Sequence, residues 1–204
     1  MRNKLFFLLF CSFLFCCGLQ AQKVTVHVFM ENKNNNPQSD TIYYNFNQKL
    51  AWSDFQGKVP PADPWGAMTA SGFSFNSSLE DNDGNITILI GVFTFFTKHD
   101  SWKKPNVNSA YHLEHEQHHF DITRLGAEEL LKELSQAHFT RKNYHTVLND
   151  VFNKVYAQNV AWQHGYDKET KNSLDQPQQL EWNKKITAEI KQIQEAPASL
   201  SQNY

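Results

Sequence analysis

The stretch 111–122 constrains the fold more than any other part of the chain, because its residues can share one site only on an α-helix. It contains four of the nine histidines and two glutamates. Residues 115–119 have the pattern H-E-x-x-H. Residues four positions apart lie on the same face of a helix, so His115 and His119 could bind one metal ion. Glu116, next to them, could then act as the general base toward a metal-bound water.

This pattern predicts a zinc site, and a catalytic zinc usually has three protein ligands and one open position. Two residues could supply the third ligand. His112 lies on the same helix face as His115 and His119, although three ligands from one straight helix strain the geometry. Asp167 lies just past the expected end of the next helix, and an antiparallel helix pair would bring it back to the histidines. We prefer Asp167, and His112 remains the alternative.

Asp121 follows the second histidine of the pentad but does not extend the metal site. It is two residues past His119, which places it about 200° around the helix. The helix face that carries the histidines therefore does not carry Asp121. We expect this carboxylate to accept structural hydrogen bonds.

Residues 1–21 have the pattern of a secretory signal peptide, with a short basic start, an apolar run and Ala21 at the cleavage position. The apolar run is too short to span a bilayer, which needs about 20 apolar residues. We therefore expect cleavage after Ala21 and a secreted or periplasmic location. All three cysteines lie in this segment. A metal site in residues 22–204 must therefore use His, Asp or Glu side chains.

Charge and length limit the function classes. The formal net charge is −2, and no basic stripe marks a nucleic-acid interface. Beyond the signal there is no second apolar run, so we expect no transmembrane span. The chain shows no internal repeat, and the length of 22–204 fits a single domain. Nothing in the sequence indicates the oligomeric state.

The N-terminal half has the pattern of β-strands. Apolar and polar residues alternate at 24–28 and at 42–46, as they do in half-buried strands. Residues 68–76 and 85–97 flank the dipeptide Asp83-Gly84, which is typical of a hairpin turn. The second of these strands is rich in β-branched and aromatic residues. We expect it to offer an edge to an extended peptide.

The C-terminal half has the pattern of three helices. The motif helix is predicted at about 109–137, and the second helix has apolar residues at i, i+3 and i+4 over 144–156, with Gly165 as its stop. The third helix is predicted at about 177–196. Its expected inward residues are Leu180, Ile186, Ile190 and Ile193. Strands followed by helices predict an α+β fold, with a small, mainly antiparallel sheet in the N-terminal half.

The eight residues 115–122 read H-E-Q-H-H-F-D-I. They resemble the H-E-Q-x-H-F-D-I signature of the DUF922 domain, a bacterial secreted family proposed to be zinc-dependent proteases. Other segments agree with the family more weakly. They are 50–58, which resembles L-x-W-x-D-F-x-G, the pair Ser101-Trp102, and 166–170. Together the similar segments cover about residues 40–172.

The resemblance implies a zincin-like motif helix in which His115 and His119 bind Zn²⁺ and Glu116 is the base. It also implies that Tyr166 and Asp167 lie near the site, where Tyr166 could steady an oxyanion. One feature departs from the family, which often continues Y-D-x-x-T with x-H-G. Asn172-Ser173 occupy the places of that histidine and glycine, and the site would be damaged if the histidine were the third ligand.

Three hypotheses follow. The first is a secreted zinc metallopeptidase that acts on a peptide or protein substrate. The alternative is a catalytically inactive metal-binding or peptide-binding domain of the cell envelope. The third is a structural domain without metal, in which the histidine-rich face is merely solvated. Zinc stoichiometry separates the third hypothesis from the others, and digestion of a peptide library separates the first from the second.

Overall fold

Most of the described part of the chain consists of a five-stranded mixed sheet, a two-stranded sheet and three long helices. The computed structural model describes residues 23–195 and 199–203, so the predicted signal peptide and its cysteines lie outside the described residues. The strands are β1 Val24–Met30, β2 Thr41–Tyr43, β3 Ala67–Met68, β4 Ser71–Asn82, β5 Asn85–Thr97, β6 Trp102–Lys103 and β7 Ser199–Asn203. Strands β3 and β6 form the two-stranded sheet. The helices are α1 Ala110–Gln136, α2 Tyr144–Thr170 and α3 Gln176–Glu195. The predicted α+β class is confirmed.

Strand β5 is the centre of the main sheet. One of its edges pairs with β4, antiparallel, and the other pairs first with β1, parallel, and then with β2, antiparallel. Strand β7 adds antiparallel to the far edge of β1. The prediction that 86–96 offers a free edge is therefore wrong, because this strand has partners on both sides. Among the described strands, β4 pairs only with β5, so its other edge is open.

The predicted hairpin is present between β4 and β5. Its two turn residues, Asp83 and Gly84, have φ values of 53° and 88°. Positive φ at both central residues is the requirement of a type I′ turn, whose twist matches that of the flanking strands. The turn sets a register in which Phe73 lies opposite Thr94.

Helix α1 packs between the sheet and the other two helices. The side chain of Ser109 caps its first turn by accepting a hydrogen bond from the backbone N–H of His112 at 3.1 Å, as the predicted start requires. Its later leucines complete the main core with the inward faces of β1 and β5. The buried residues of that core include Val26, Val28, Ile88, Ile90, Leu130, Leu131 and Leu134.

Helices α1 and α2 pack antiparallel at close range. Asn159 of α2 donates a hydrogen bond to the backbone oxygen of Ile122 at 2.8 Å. The close approach depends on Gly126 in α1, where an added Cβ would lie 2.5 Å from Asn159 Nδ2 and 2.8 Å from a ring carbon of Phe73. A side chain at this position would push α2 and β4 away from α1.

Two predictions about the later helices are wrong. Helix α2 does not stop at Gly165 but continues to Thr170, because an interior glycine costs only about 1 kcal/mol relative to alanine and the following turn buries Tyr166. In α3, Leu180 is 54 % exposed, whereas Gln179 and Trp182 are buried. The inward face of α3 is therefore shifted by one residue at its start. Among the described helices, none has both the length and the hydropathy that a bilayer span requires.

The packing at Gly126 generates a prediction about stability. Gly126→Ala should lower the free energy of unfolding by about 1–3 kcal/mol, because overpacking at a close helix contact outweighs the gain in helix propensity. Gly165→Ala is the matched control, since an added Cβ there meets no atom within 4 Å, and it should raise stability by about 0.5–1 kcal/mol. Urea denaturation followed by circular dichroism measures both changes. Equal effects of the two substitutions would contradict this account of the helix interface.

Candidate metal centre

Three helices position the side chains of the candidate site. The i, i+4 pair His115 and His119 projects from α1 toward an i, i+4 pair on α2, Gln163 and Asp167. Both pairs lie on single helix faces, and the antiparallel packing brings the two faces together. The prediction placed Asp167 beyond the second helix, but it lies within the last turn of α2. The expected approach of this residue to the histidines nevertheless occurs.

The two imidazoles converge on one carboxylate oxygen. Oδ1 of Asp167 lies 3.3 Å from Nε2 of His115 and 3.0 Å from Nε2 of His119. Among the described residues, these three form a group that could hold a metal ion, with all ligand atoms within 4.8 Å of one another. His115 is buried, and the Asp167 side chain is 36 % exposed, so the group opens to solvent on the Asp167 side.

Gln163 fixes which nitrogen of His119 faces this group. Its Nε2 donates to the backbone oxygen of His119 at 2.9 Å and to the hydroxyl of Thr123 at 3.0 Å. These two acceptors orient the amide so that its Oε1 faces His119 Nδ1 at 2.6 Å. Because an amide oxygen can only accept, Nδ1 carries the hydrogen. Nε2 is then the nitrogen available to a metal.

Gln179, on α3, fixes in the same way which nitrogen of His115 faces the group. Its Nε2 donates to the hydroxyl of Tyr166 at 2.6 Å and to Oδ1 of Asn183 at 2.7 Å. Its Oε1 therefore accepts from His115 Nδ1 at 2.9 Å. Two neutral imidazoles in this arrangement would point their Nε2 lone pairs, with a carboxylate oxygen, at a common point. A proton or a metal cation must stabilise that point.

The metal-free electrostatics agree with this arrangement. Burial alone would lower the pKa of His119, but the hydrogen bond and charge of Asp167, with smaller effects of Glu116 and Gln163, raise it to about 9. Burial alone would raise the pKa of Asp167, but hydrogen bonds from His115 and His119 hold it well below its usual range. Without metal, His119 therefore carries a second proton, on Nε2, at neutral pH. A metal and this proton compete for the same nitrogen, so metal binding weakens as pH falls.

Glu116 lies beside the three residues and is also held in place. The hydroxyl of Thr69, just before β4, lies 2.7 Å from Oε2 of Glu116 and 3.1 Å from its backbone oxygen. The other carboxylate oxygen, Oε1, has no hydrogen-bond donor among the described residues. Glu116 lines the same cavity as His115 and His119. No sequence signal identifies Thr69, because a lone threonine in a loop has no diagnostic spacing.

Tyr166 and His112 occupy places that differ from their predicted roles. Tyr166 is fully buried, and its hydroxyl donates to the backbone oxygen of His115 at 3.3 Å while it accepts from Gln179. Its ring stacks on that of His115 at 4.7 Å, so the oxyanion role predicted for Tyr166 does not fit this geometry. His112 lines the cavity, and its Nδ1 lies 2.6 Å from the hydroxyl of Ser109. It is outside the metal-ligating group.

Asp121 lies on the opposite side of α1 and accepts structural hydrogen bonds, as predicted. Its donors are the Tyr44 hydroxyl at 2.8 Å, Gln117 Nε2 at 2.8 Å and His118 Nδ1 at 3.0 Å. Burial would raise the pKa of Asp121, but the hydrogen bond from His118, with Lys49 and Gln117, lowers it. His118 thus belongs to this buried network, and the three-residue metal group does not include it.

The metal-ligating group opens into a cavity of about 780 Å³. One wall is the extended segment 64–73, which includes β3 and the start of β4. The other wall is α2 from Tyr156 to Lys168, continued by residues 172–174. The volume is in the range of small-molecule and substrate sites, about 300–1,000 Å³. A buried carboxylate, a group that could hold a metal ion and a substrate-sized cavity therefore occur together.

Comparisons with known proteins give one match. No curated protein and no solved structure matches the chain. A family model described as "Bacterial protein of unknown function (DUF922)" matches residues 100–174. The match contains the signature 115–122 and Asp167 but not the predicted similar segment 50–58. It confirms the resemblance of this chain to DUF922 over the segment that supplies His115, His119 and Asp167.

Proposed function

We propose that this chain is a zinc-dependent metallopeptidase, with His115, His119 and Asp167 as the metal ligands and Glu116 as the general base. The observation that carries the proposal is the convergence of two Nε2 atoms and one carboxylate oxygen beside Glu116, at the floor of a large cavity. Two histidines and one carboxylate from a nearby helix are a common ligand set of catalytic zinc.

The ligand spacing is compatible with zinc. At Zn–N distances of about 2.0–2.1 Å, the ligands of a tetrahedral ion lie about 3.3 Å apart. The two imidazole nitrogens lie 3.3 Å and 3.0 Å from Oδ1 of Asp167, so both histidine–carboxylate pairs are already near this spacing. Three protein ligands leave a fourth position open. Bound zinc would supply Lewis-acid activation of a water and of the substrate carbonyl.

The remaining chemistry belongs to the chain. Glu116 takes the proton from the attacking water and delivers it to the leaving amine, which is the usual cycle of a general base. The Thr69 hydroxyl holds one carboxylate oxygen and leaves the other for this exchange. Gln163 and Gln179 keep both Nε2 atoms directed at the metal, as side chains hydrogen-bonded to ligand histidines do.

A peptide substrate and an envelope location complete the proposal. The open edge of β4 borders the cavity at Ser71–Phe73, and extended peptides add to such edges through backbone hydrogen bonds. The signal-like segment 1–21 supports a secreted or periplasmic location. A buried, oriented Glu116 favours catalysis over the inactive alternative, because a purely metal-binding domain does not need a carboxylate beside its ligands.

The ligand assignment generates the first prediction of this proposal. His119→Ala and Asp167→Ala should each weaken zinc binding by more than about 100-fold, since loss of a direct ligand exceeds the 10–100-fold cost of losing its hydrogen-bonded neighbours. His112→Ala is the control and should change the affinity less than about threefold. Competition with a zinc chelator measures the three constants. A large loss of zinc affinity in His112→Ala with no loss in Asp167→Ala would show that His112, and not Asp167, is the third ligand.

The hydrogen bonds of the two glutamines generate a second prediction. Gln163→Ala and Gln179→Ala should weaken zinc binding by about 10–100-fold, whereas Gln178→Ala, at an exposed neighbouring position of α3, should not. Histidine ¹⁵N NMR of the zinc-loaded chain should show Nδ1–H and metal-bound Nε2 on both ligands. Metal on Nδ1, or unchanged affinity in both folded variants, would contradict the assignment.

The role of Glu116 is tested by removing its basicity. Glu116→Gln should leave zinc affinity within about threefold of the parent chain and lower peptide hydrolysis by about 10²–10⁴-fold, because an amide cannot accept the proton. Glu114→Gln, at an exposed position of the same helix, should leave both unchanged. Mass spectrometry of a digested peptide library measures hydrolysis. Full activity in Glu116→Gln would remove the mechanism.

A further inference from the structure

Exposed apolar side chains concentrate around the metal centre. Among the described residues, five large hydrophobic side chains are exposed: Trp65 at 50 %, Met68 at 38 %, Tyr156 at 51 %, Leu174 at 78 % and Leu180 at 54 %. All of them except Leu180 line the metal cavity. Single exposed hydrophobic residues are normal on protein surfaces, but several around one concave site mark a binding surface.

These side chains belong to both walls of the cavity. Trp65 and Met68 are on the extended segment 64–73, whereas Tyr156 is on α2 and Leu174 follows it. Tyr156 and Lys168 are separated by about 18 Å along the helix axis, at 1.5 Å per residue. This length matches about five residues of an extended chain at 3.3 Å per residue. The cavity is therefore a groove long enough to contact the side chains on both sides of the central peptide bond of an extended peptide.

The groove offers little charge for recognition. Besides Glu116 and Asp167, which belong to the metal centre, Lys168 is the only permanently charged side chain among the described residues that line it. Apolar side chains, including the buried Phe73 and the half-buried Val107 and Val160, share the rest of the lining with uncharged polar ones such as Ser71, Asn159 and Gln163. Apart from an acidic side chain that reached Lys168, a charged peptide side chain would lose water here without finding an opposite charge outside the metal centre, which is unfavourable. An apolar side chain would gain from burial.

We infer that the occupant of this groove is an extended peptide segment with bulky apolar side chains near its central bond. Its backbone follows the open edge of β4 at Ser71–Phe73, where main-chain hydrogen bonds give affinity, and the apolar walls select its side chains. This inference rests on the proposed peptidase for its scissile bond. It adds the substrate class, which is unfolded or extended polypeptide rich in Leu, Phe and similar residues.

Binding to the zinc-loaded Glu116→Gln chain tests the inference without cleavage. Two fluorescein-labelled peptides of equal length are compared by anisotropy, one with Leu or Phe at alternate positions between serines and threonines, the other with Gln in their place. The apolar peptide should bind at least about tenfold more tightly. Equal affinities would overturn the inference. Stronger binding of the chain to lipid vesicles than to either peptide would also overturn it.

Variants of the two walls sharpen the test. Trp65→Ala and Tyr156→Ala should each weaken binding of the apolar peptide by about tenfold, as truncation of an aromatic anchor does, with zinc affinity unchanged. Leu180→Ala is the matched control, because it removes an equally exposed hydrophobic side chain outside the cavity, and it should have no effect. An equal loss in all three variants would overturn the assignment of the groove.

Digestion of an unbiased peptide library by the wild-type chain separates the two proposals. Cleavage next to apolar residues supports both of them. Cleavage without any preference for apolar neighbours overturns the substrate class and leaves the peptidase intact. Selective binding of the apolar peptide without any hydrolysis overturns the peptidase and supports the apolar recognition surface by itself.

Discussion

The structure depends on the burial of a polar helix segment at the centre of the fold. Within α1, the residues from His115 to Arg124 include seven buried polar or charged side chains, and each is costly to bury without a partner. The partners come from every layer around the helix: Thr69 next to the sheet, Gln163 and Asp167 on α2, and Gln179 on α3. The surrounding elements therefore supply hydrogen-bond partners to the polar side chains of α1 as well as packing against it.

The residues of the signature 115–122 lie on two sides of α1. One side faces the cavity, and the other packs against the rest of the fold. His115, Glu116 and His119 face the cavity. On the other side, Oε1 of Gln117 accepts from the backbone N–H of Leu50 at 2.8 Å. Phe120 packs in a cluster with Leu50, Phe55 and Phe96. The segment 50–58, which carried part of the sequence resemblance, thus lies directly against the signature. This segment packs against the side of α1 that faces away from α2, whereas the candidate ligands His115 and His119 face α2.

Patterns that repeat along the chain were sufficient to predict much of this structure. Helical spacing located α1 and its metal face, the Asp83-Gly84 turn located the hairpin, and antiparallel helix packing brought Asp167 to the histidines. The hydrogen-bond partners of the ligands were missed because glutamine has no fixed spacing from a metal ligand. One signal was available, since Gln163 precedes Asp167 by four residues and must share its helix face.

Other predictions failed where a tertiary contact overrode a local preference. Gly165 is a favourable helix end in isolation, but the burial of Tyr166 against His115 extends α2 by another turn and carries Asp167 with it. Leu180 is the more apolar neighbour of Gln179, yet the hydrogen bond to His115 turns Gln179 inward and leaves Leu180 in solvent. In both places a contact with His115, the ring of Tyr166 or the amide of Gln179, accompanies the change of helix boundary or face.

The departure of Asn172-Ser173 from the family pattern has a structural meaning of the same kind. Lys171, Asn172 and Ser173 all have positive φ, between 49° and 67°, a conformation that costs non-glycine residues about 1–2 kcal/mol each. Glycine at 173 would relieve this strain, because glycine adopts positive φ without steric cost. The group of His115, His119 and Asp167 that could hold a metal ion does not include a side chain from position 172. The strained turn is instead held by the Tyr111 hydroxyl, which donates to the Ser173 backbone oxygen at 2.7 Å. This contact ties the start of α1 to the rim of the cavity and fixes the place where Leu174 is exposed.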